Sequence, residues 1–352
     1  LTDNVQSLLE HGVHLTALYG PEHGFSAAVR DGIQIEDSRD PMTGLPLYSL
    51  YGQNLEPTGA RLREVDVLVC DLQDVGVRFY TYLSTLYYLI RAAGRHGCPL
   101  VVLDRPNPIT GLRLEGPTME PEFQSYVGII PIPVRHGMTQ GELALFINAE
   151  FGFGTDLTIV LMRGWKRAQW FDQTGRVWVP SSPGMPRLET AVVYPGTCLL
   201  EGTNLSEGRG TYLPFELTGA PWVDGHRLAE RLNQRGIAGM TARSASFTPT
   251  ASKYQGEICQ GVQIHMLDRE VFRPLQAALE IMINCQELFP NDFKFLPPAN
   301  QADPRPHFDL LAGSDKLHRA IEAGKSVEQI TTGWQPGLEG FAKRRKPYLR
   351  YD

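Results

Sequence analysis

Three short clusters in this 352-residue chain carry groups suited to acid–base chemistry. Glu22 and His23 stand together in "LYGPEHGF" (18–25), on a turn sharpened by Gly20, Pro21 and Gly24. A carboxylate there can give or take a proton, and the imidazole beside it can orient it. The competing reading is a turn whose Glu caps a helix and whose His is solvated. The second cluster, "DLQDVGVRFYTY" (71–82), sets Asp71, Gln73 and Asp74 before Arg78, Tyr80 and Tyr82. An arginine among carboxylates can lower their pKa values or grip a substrate carboxylate bidentately. Tyrosines beside polar groups suit a sugar ring. An internal salt bridge of Arg78 with Asp71 or Asp74, over core tyrosines, is the alternative. In the third, "DRPNPI" (104–109), prolines hold Asp104, Arg105 and Asn107 in set orientations, either for a ligand or as a structural Asx turn.

Two further motifs could supply binding groups. In "PVRHGMT" (133–139), Arg135 and His136 precede a helix N-terminus, which suits an anion. "EGTNLSEGRGT" (201–211) alternates glycines with Glu201, Asn204, Glu207 and Arg209. It lacks both phosphate-loop spacings, and its acidic residues would repel a pyrophosphate. It reads as a polar loop folding over a site, or else as a surface hairpin. Glu22, His23, Asp71, Asp74, Asp104 and His136 could converge on a metal, but the chain has neither HExxH nor His-x-His, so no metal is expected. Neither a GxSxG elbow nor a cysteine-nucleophile signature is present.

The elements that must position these groups alternate between strand and helix. "HLTALY" (14–19), "VDVLVCDLQ" (65–73), "PLVVLDRPNP" (99–108) and "LTIVLM" (157–162) read as strands. "VQSLLEHG" (5–12), "ARLREV" (60–65), "YLSTLYYLIRAAGRHG" (82–97) and a Thr139-capped segment read as helices. Apolar strands separated by helices predict an α/β, Rossmann-like parallel sheet covered on both faces. Ligands bind beyond the carboxyl ends of such strands. Three of these strands end in the polar clusters above. A Trp-, Pro- and Gly-rich stretch (165–195) reads as a linker along the rim of the site. A smaller α+β unit follows, with a helix at "HRLAERLNQRG" (226–236), a strand at 261–267, a helix from Phe272 and a C-terminal helix from Ser326. We therefore expect domains at 1–185 and 186–352, the second closing the cleft.

Composition narrows the class. Thirty-three basic and 39 acidic residues leave a net charge of −6, a poor basis for binding nucleic acid. No apolar run reaches the ~18 residues of a membrane span. No signal peptide is visible, and a trimmed chain would not show one. The five cysteines are odd in number and lack zinc spacing; Cys70 and Cys98 read as buried thiols. The basic run Lys343–Lys346 reads as a solvated helix end.

The ordered set "LYGPEHGF", "DPMTGLPLYSLYG", "DLQDVGVRFYTY", "VVLDRPNP", "LEGP", "PIPVRHGMT", "RGW", "YPGTCLLEGTNLSEGRGT", "PFELTGAPW", "GVQIHM" and "PYLRYD" spans almost the whole chain. It resembles the bacterial DUF1343 family, the exo-β-N-acetylmuramidases of the NamZ type. Members usually begin with an extra strand of the type "GLLTNQTG", whereas this chain opens at Leu1-Thr2 and runs straight into Asp3-Asn4. The resemblance implies a Rossmann-like domain, a smaller C-terminal domain and an active site in the cleft between them. It implies release of N-acetylmuramic acid from the non-reducing end of peptidoglycan fragments, outside the cytoplasm, without a nucleotide cofactor. Glu22 of the "PEHG" motif is then the favoured catalytic carboxylate, with His23 tuning it. Asp71, Asp74, Asp104, Glu201 and Glu207 are candidate partners, or the substrate's acetamido group replaces them. Arg78, Arg105, Arg135 or Arg209 would take the lactyl carboxylate of muramic acid. Two other readings of the same scaffold are a non-catalytic muropeptide binder and a metal-dependent hydrolase.

Overall fold

A computed structural model describes residues 3–299 and 303–352. Helix α1 (Asn4–Glu10) starts at Asp3, whose carboxylate accepts from the Val5 and Gln6 N–H groups. Strand β1 (Leu18–Gly20) runs parallel to β3 (Pro46–Ser49), which β2 (Ser38–Arg39) flanks antiparallel. Helix α2 (Gly59–Leu62) leads to β4 (Leu68–Cys70), α3 (Tyr82–His96) and β5 (Leu100–Leu103). A two-stranded antiparallel ribbon, β6 (Glu115–Thr118) and β7 (Pro133–Arg135), precedes α4 (Gln140–Glu150) and β8 (Leu157–Val160). Strands β4, β5 and β8 form the expected parallel sheet, in the order β4-β5-β8.

Local signals explain the helix ends. α3 stops at Gly97, whose φ of 66° closes the helix in the left-handed conformation. α4 starts at a capping box in which Thr139 and Glu142 each accept the other's backbone N–H.

The sheet departs from expectation in two ways. Leu68, Cys70, Leu100 and Val102 are buried with Leu83, Leu86, Leu143 and Phe146 of α3 and α4. On the opposite face, Val69 and Val160 are 42% and 49% exposed, so apolar content alone did not mean cover on both sides. The first strand is also shorter than "HLTALY". It takes its partner from 46–49, a stretch whose proline and tyrosine gave no clear period.

The second unit begins inside the supposed linker. α5 (Leu188–Thr197) carries Pro195 within its last turn. β9 (Leu217–Ala220), α6 (Gly225–Arg235), β10 (Met240–Phe247) and β11 (Cys259–Met266) follow, and the strands form an antiparallel sheet in the order β10-β11-β9. α7 (Pro274–Leu288) packs its apolar face into the same core. Two short helices, α8 (His307–Ala312) and α9 (Lys316–Glu322), come next. The single C-terminal helix expected from Ser326 is two, α10 (Val327–Thr332) and α11 (Gln335–Arg345), parted by Gly333.

α11 and the tail return to the first unit. Phe341 joins its core against Phe146. The Tyr351 hydroxyl bonds Asp104, and the Asp352 carbonyl accepts the Arg167 N–H at 2.7 Å. The basic run is not wholly solvated. Arg345 is buried and donates to the carbonyls of His136 and Gly137, because that carbonyl-rich turn needs donors from outside. All five cysteines are free and buried, including Cys70 and Cys98.

Arg78 ties these parts together. It is fully buried, and its guanidinium donates to the carbonyls of Pro117 and Ile132 at 2.8 Å and of Leu311 at 2.6 Å. Burial pushes its pKa down to about 9. It meets backbone from both units rather than Asp71, Asp74 or a substrate. Arg78→Met would strand three buried carbonyls, and a loss of about 3 kcal/mol is expected from urea unfolding. A loss below about 1 kcal/mol would show that the three bonds are not needed.

Candidate functional site

Glu22 and His23 lie just past the carboxyl end of β1. The turn folds back so tightly that a Cβ on Gly20 would stand 2.8 Å from the Phe25 nitrogen. Glycine there lets the chain press both side chains inward, and they are only 7% and 6% exposed. Glu22 Oε2 accepts the Thr81 hydroxyl at 2.5 Å, and Oε1 accepts the Gly32 N–H at 3.3 Å. Thr81 stands at the N-cap of α3 but makes no capping bond with its side chain. Its hydroxyl is spent on Glu22 instead. Among the described residues no cation pairs with Glu22. The Tyr51 hydroxyl faces it, and burial, reinforced by the Glu22 charge, pushes that phenol up to about 12. Tyr126 is raised too, mainly by burial, with a contribution from Glu22. The carboxyl group thus sits among neutral donors.

His23 shares its Nδ1 proton with the Val29 carbonyl at 2.9 Å, which leaves Nε2 as the acceptor in the neutral ring. Its ring centre lies 6.5 Å from Tyr80 and 6.2 Å from Tyr82. Both tyrosines are buried, and both hydroxyls bond Ser181, at 2.7 Å to Oγ and 2.6 Å to the carbonyl. They brace the wall of the site and are too enclosed to stack on a sugar.

The other strand ends are more tightly committed than expected. Asp71 forms a bidentate pair with Arg105 and accepts a bond from Asn4. Asp104 is a structural hub. It accepts from Thr139 at 2.8 Å and Gly141 N–H at 2.7 Å, and from Tyr351. Burial raises its pKa despite those donors. Asn107 makes the Asx turn, accepting the Ile109 N–H at 3.1 Å and donating to the Met138 carbonyl. Asp74 accepts the Gly76 N–H at 2.6 Å and faces His136 Nε2 at 3.6 Å, both buried. Arg135 is buried against Glu115, the Ile109 carbonyl and the Trp170 ring, and burial pushes its pKa down to about 10. Asp104, Asn107 and Arg135, like Arg78, therefore hold the fold where binding was expected, because they are buried on long-range backbone and side-chain partners.

The 201–211 loop does reach the first unit. Arg209 binds Glu201 through Nη2 at 2.7 Å and through Nε at 2.8 Å, while Nη1 holds Asp31 at 2.9 Å. Burial works against ionisation of Glu201, but the Arg209 charge and the His307 ring, 3.4 Å away, outweigh it and hold the carboxyl well below the usual range. Glu207 is buried on Lys253 at 2.9 Å, and Asn204 is tied to the backbone of Asp292 and Lys294. Those two shape the loop, and Glu207 also stands 3.8 Å from Arg209 Nε. Of the four candidate arginines, only Arg105 and Arg209 keep part of the side chain open, 37% and 17%. No group of three His, Cys, Asp or Glu side chains able to hold a metal occurs among the described residues.

Models of the exo-β-N-acetylmuramidase NamZ family match the chain twice, the N-terminal model over residues 1–189 and the C-terminal model over 192–351. The chain belongs to the exo-β-N-acetylmuramidase NamZ family. The peptidoglycan β-N-acetylmuramidase NamZ of Bacillus subtilis (strain 168) is 47% identical over all 352 residues, which cover 83% of that relative. Two crystal structures of DUF1343 family proteins from Bacteroides fragilis NCTC 9343 share the fold. One has a TM-score of 0.88 at 35% identity and the other 0.78 at 31%; each match covers all of this chain and 90% of the other.

Sequence reading missed Thr81, Asp31, Tyr51 and Ser181. Thr81 carried a signal, a Thr at a helix start between two tyrosines, but was not singled out. Thr81→Val should cost about 2 kcal/mol in chemical denaturation, the scale of a buried bond to a charged group, and Thr81→Ser should recover most of it. Equal stability of the Val variant and wild type would mean the short contact to Glu22 carries no weight.

Proposed function

We propose that the protein is an exo-β-N-acetylmuramidase that releases N-acetylmuramic acid from the non-reducing end of peptidoglycan-derived saccharides, with Glu22 as its general acid and base. The observation that carries the role is the state of the carboxylates. Of the six candidates, Glu22 is the one with neither a cation nor a histidine paired to it and with only two donors, Thr81 and Gly32, whereas Asp74 faces His136 and Asp104 takes bonds from Thr139, Gly141 and Tyr351. Asp71 and Glu201 are ion-paired with arginine, and Glu207 with lysine. Glu201, held ionised by Arg209, is unsuited to give up a proton near neutral pH.

Glycoside hydrolysis needs a proton for the leaving oxygen and a second group at the anomeric carbon. Glu22 supplies the proton as the C1–O bond breaks. With the other carboxylates committed, the acetamido oxygen of the substrate forms the bond to C1, giving a cyclic oxazolinium ion. Water then attacks C1, Glu22 takes back a proton, and the ring reopens. Thr81 holds the carboxyl group in place for both steps. Peptidoglycan lies outside the cytoplasm, and we place the enzyme there.

Glu22→Gln should lower kcat on a chromogenic β-N-acetylmuramide by about 10²–10⁴-fold, the range of general acid–base catalysis, with KM changed little. A variant within tenfold of wild type would remove Glu22 from the role. A thiazoline analogue of N-acetylmuramic acid should inhibit competitively and more tightly than the free sugar. Absence of inhibition would speak against the acetamido route.

A further inference from the structure

A closed ring of contacts surrounds the space in front of Glu22. Glu22 takes the Gly32 N–H, and the neighbouring Asp31 holds Arg209 Nη1 at 2.9 Å. A Cβ on Gly184 would lie 3.2 Å from that same Nη1. Ser181, three residues earlier, bonds Tyr80 and Tyr82, whose rings return to His23. The segment 24–36 thus straps over the carboxyl group and is tied at Asp31 to a loop of the second unit. Its far end is anchored separately, where Asp37 accepts the Ser49 N–H and pairs with Arg61. Glu22 is 7% exposed beneath this strap, and opening the Asp31 tie would widen the approach to it.

We infer that Asp31 occupies, in the empty enzyme, the place on Arg209 that the lactyl carboxylate of the substrate takes, so that the exchange both opens the strap and selects muramic acid. This rests on the muramidase reading above. The partners of Arg209 are unequal. Glu201 occupies Nε and Nη2, is 19% exposed, and fixes the guanidinium in orientation. Asp31 has a single contact at Nη1, is 46% exposed, and sits on a segment without regular structure. An ion pair of that kind holds weakly and exchanges readily. One carboxylate replaces another, so the local charge is unchanged and no group is left buried and unpaired. A glucosaminide has no carboxylate to offer and would have to break the tie without replacing it. Arg209 and Asp31 together then set specificity, Arg209 by binding and Asp31 by competing.

The test is Asp31→Asn, with KM and kcat measured on the β-N-acetylmuramide and the β-N-acetylglucosaminide of one chromogenic alcohol. Removing the competitor should lower KM for the muramide about threefold, the scale of an exposed ion pair, and raise the Kd-based affinity for free N-acetylmuramic acid by the same factor. Arg209→Lys, which keeps the charge but loses the fork to Glu201, should raise KM for the muramide at least tenfold and narrow its preference over the glucosaminide. Asp31→Asn with an unchanged or raised KM for the muramide, in a protein with wild-type melting temperature, would overturn the exchange. Should the wild-type protein turn over no muramide, the muramidase reading would fall with it, whereas turnover retained by Glu22→Gln would remove only the role of Glu22. A Glu22→Gln loss beside a silent Asp31→Asn would reject the exchange alone.

Discussion

The structure turns on a buried carboxyl group that has donors but no cation. Glu22 is 7% exposed and is held by a threonine hydroxyl and a backbone N–H. Enclosure without a compensating charge costs free energy, and the surrounding elements bear that cost. The glycine turn after β1 forces the side chain inward. α3 gives up its side-chain N-cap to reach it. The strap closes over it. An arginine or lysine in contact would have relieved the burial and locked the group in its ionised form. A group that must both give and take a proton is better served by neutral neighbours.

Around that group the two units meet through charges that do not reach it. Arg209 crosses from the 201–211 loop to Asp31, and Arg78 stitches the carbonyls of Pro117, Ile132 and Leu311. The tail from α11 onward brings Arg345 and Tyr351 back beneath the ends of β5 and β7. The cleft is therefore braced from three directions, two by buried arginines donating to backbone carbonyls and one by an exposed ion pair. Only the last can open at small cost.

Much of this was legible from local signals. The capping box at Thr139, the glycine stop at Gly97 and the parallel strands at 68–70, 100–103 and 157–160 all follow from patterns a few residues long. The strand leading to Glu22, expected in the same parallel sheet, instead pairs with β3 in a sheet of its own. What the residues could not disclose was the partner of each charged group. Arg78, Arg105, Arg135 and Arg209 look alike in sequence, but Arg78 meets Leu311, 233 positions away, and Arg209 meets Asp31, 178 away. Asp104 read as a ligand group because Tyr351, its partner, is 247 residues distant. Thr81 was hidden because its partner, Glu22, lies 59 positions away. The exposed face of β4 and β8 escaped notice because apolar composition reports hydrophobicity and carries no record of what covers it.

The central claim is that Glu22 serves the scissile bond directly. A crystal structure with a sulfur-linked muramyl disaccharide, whose glycosidic sulfur resists cleavage, tests it most closely. The account predicts the sulfur within hydrogen-bond reach of the Glu22 carboxyl group and the acetamido oxygen beneath C1. A sulfur beside Asp71 or Glu201, with Glu22 still turned to Thr81 and Gly32 and out of reach, would contradict it.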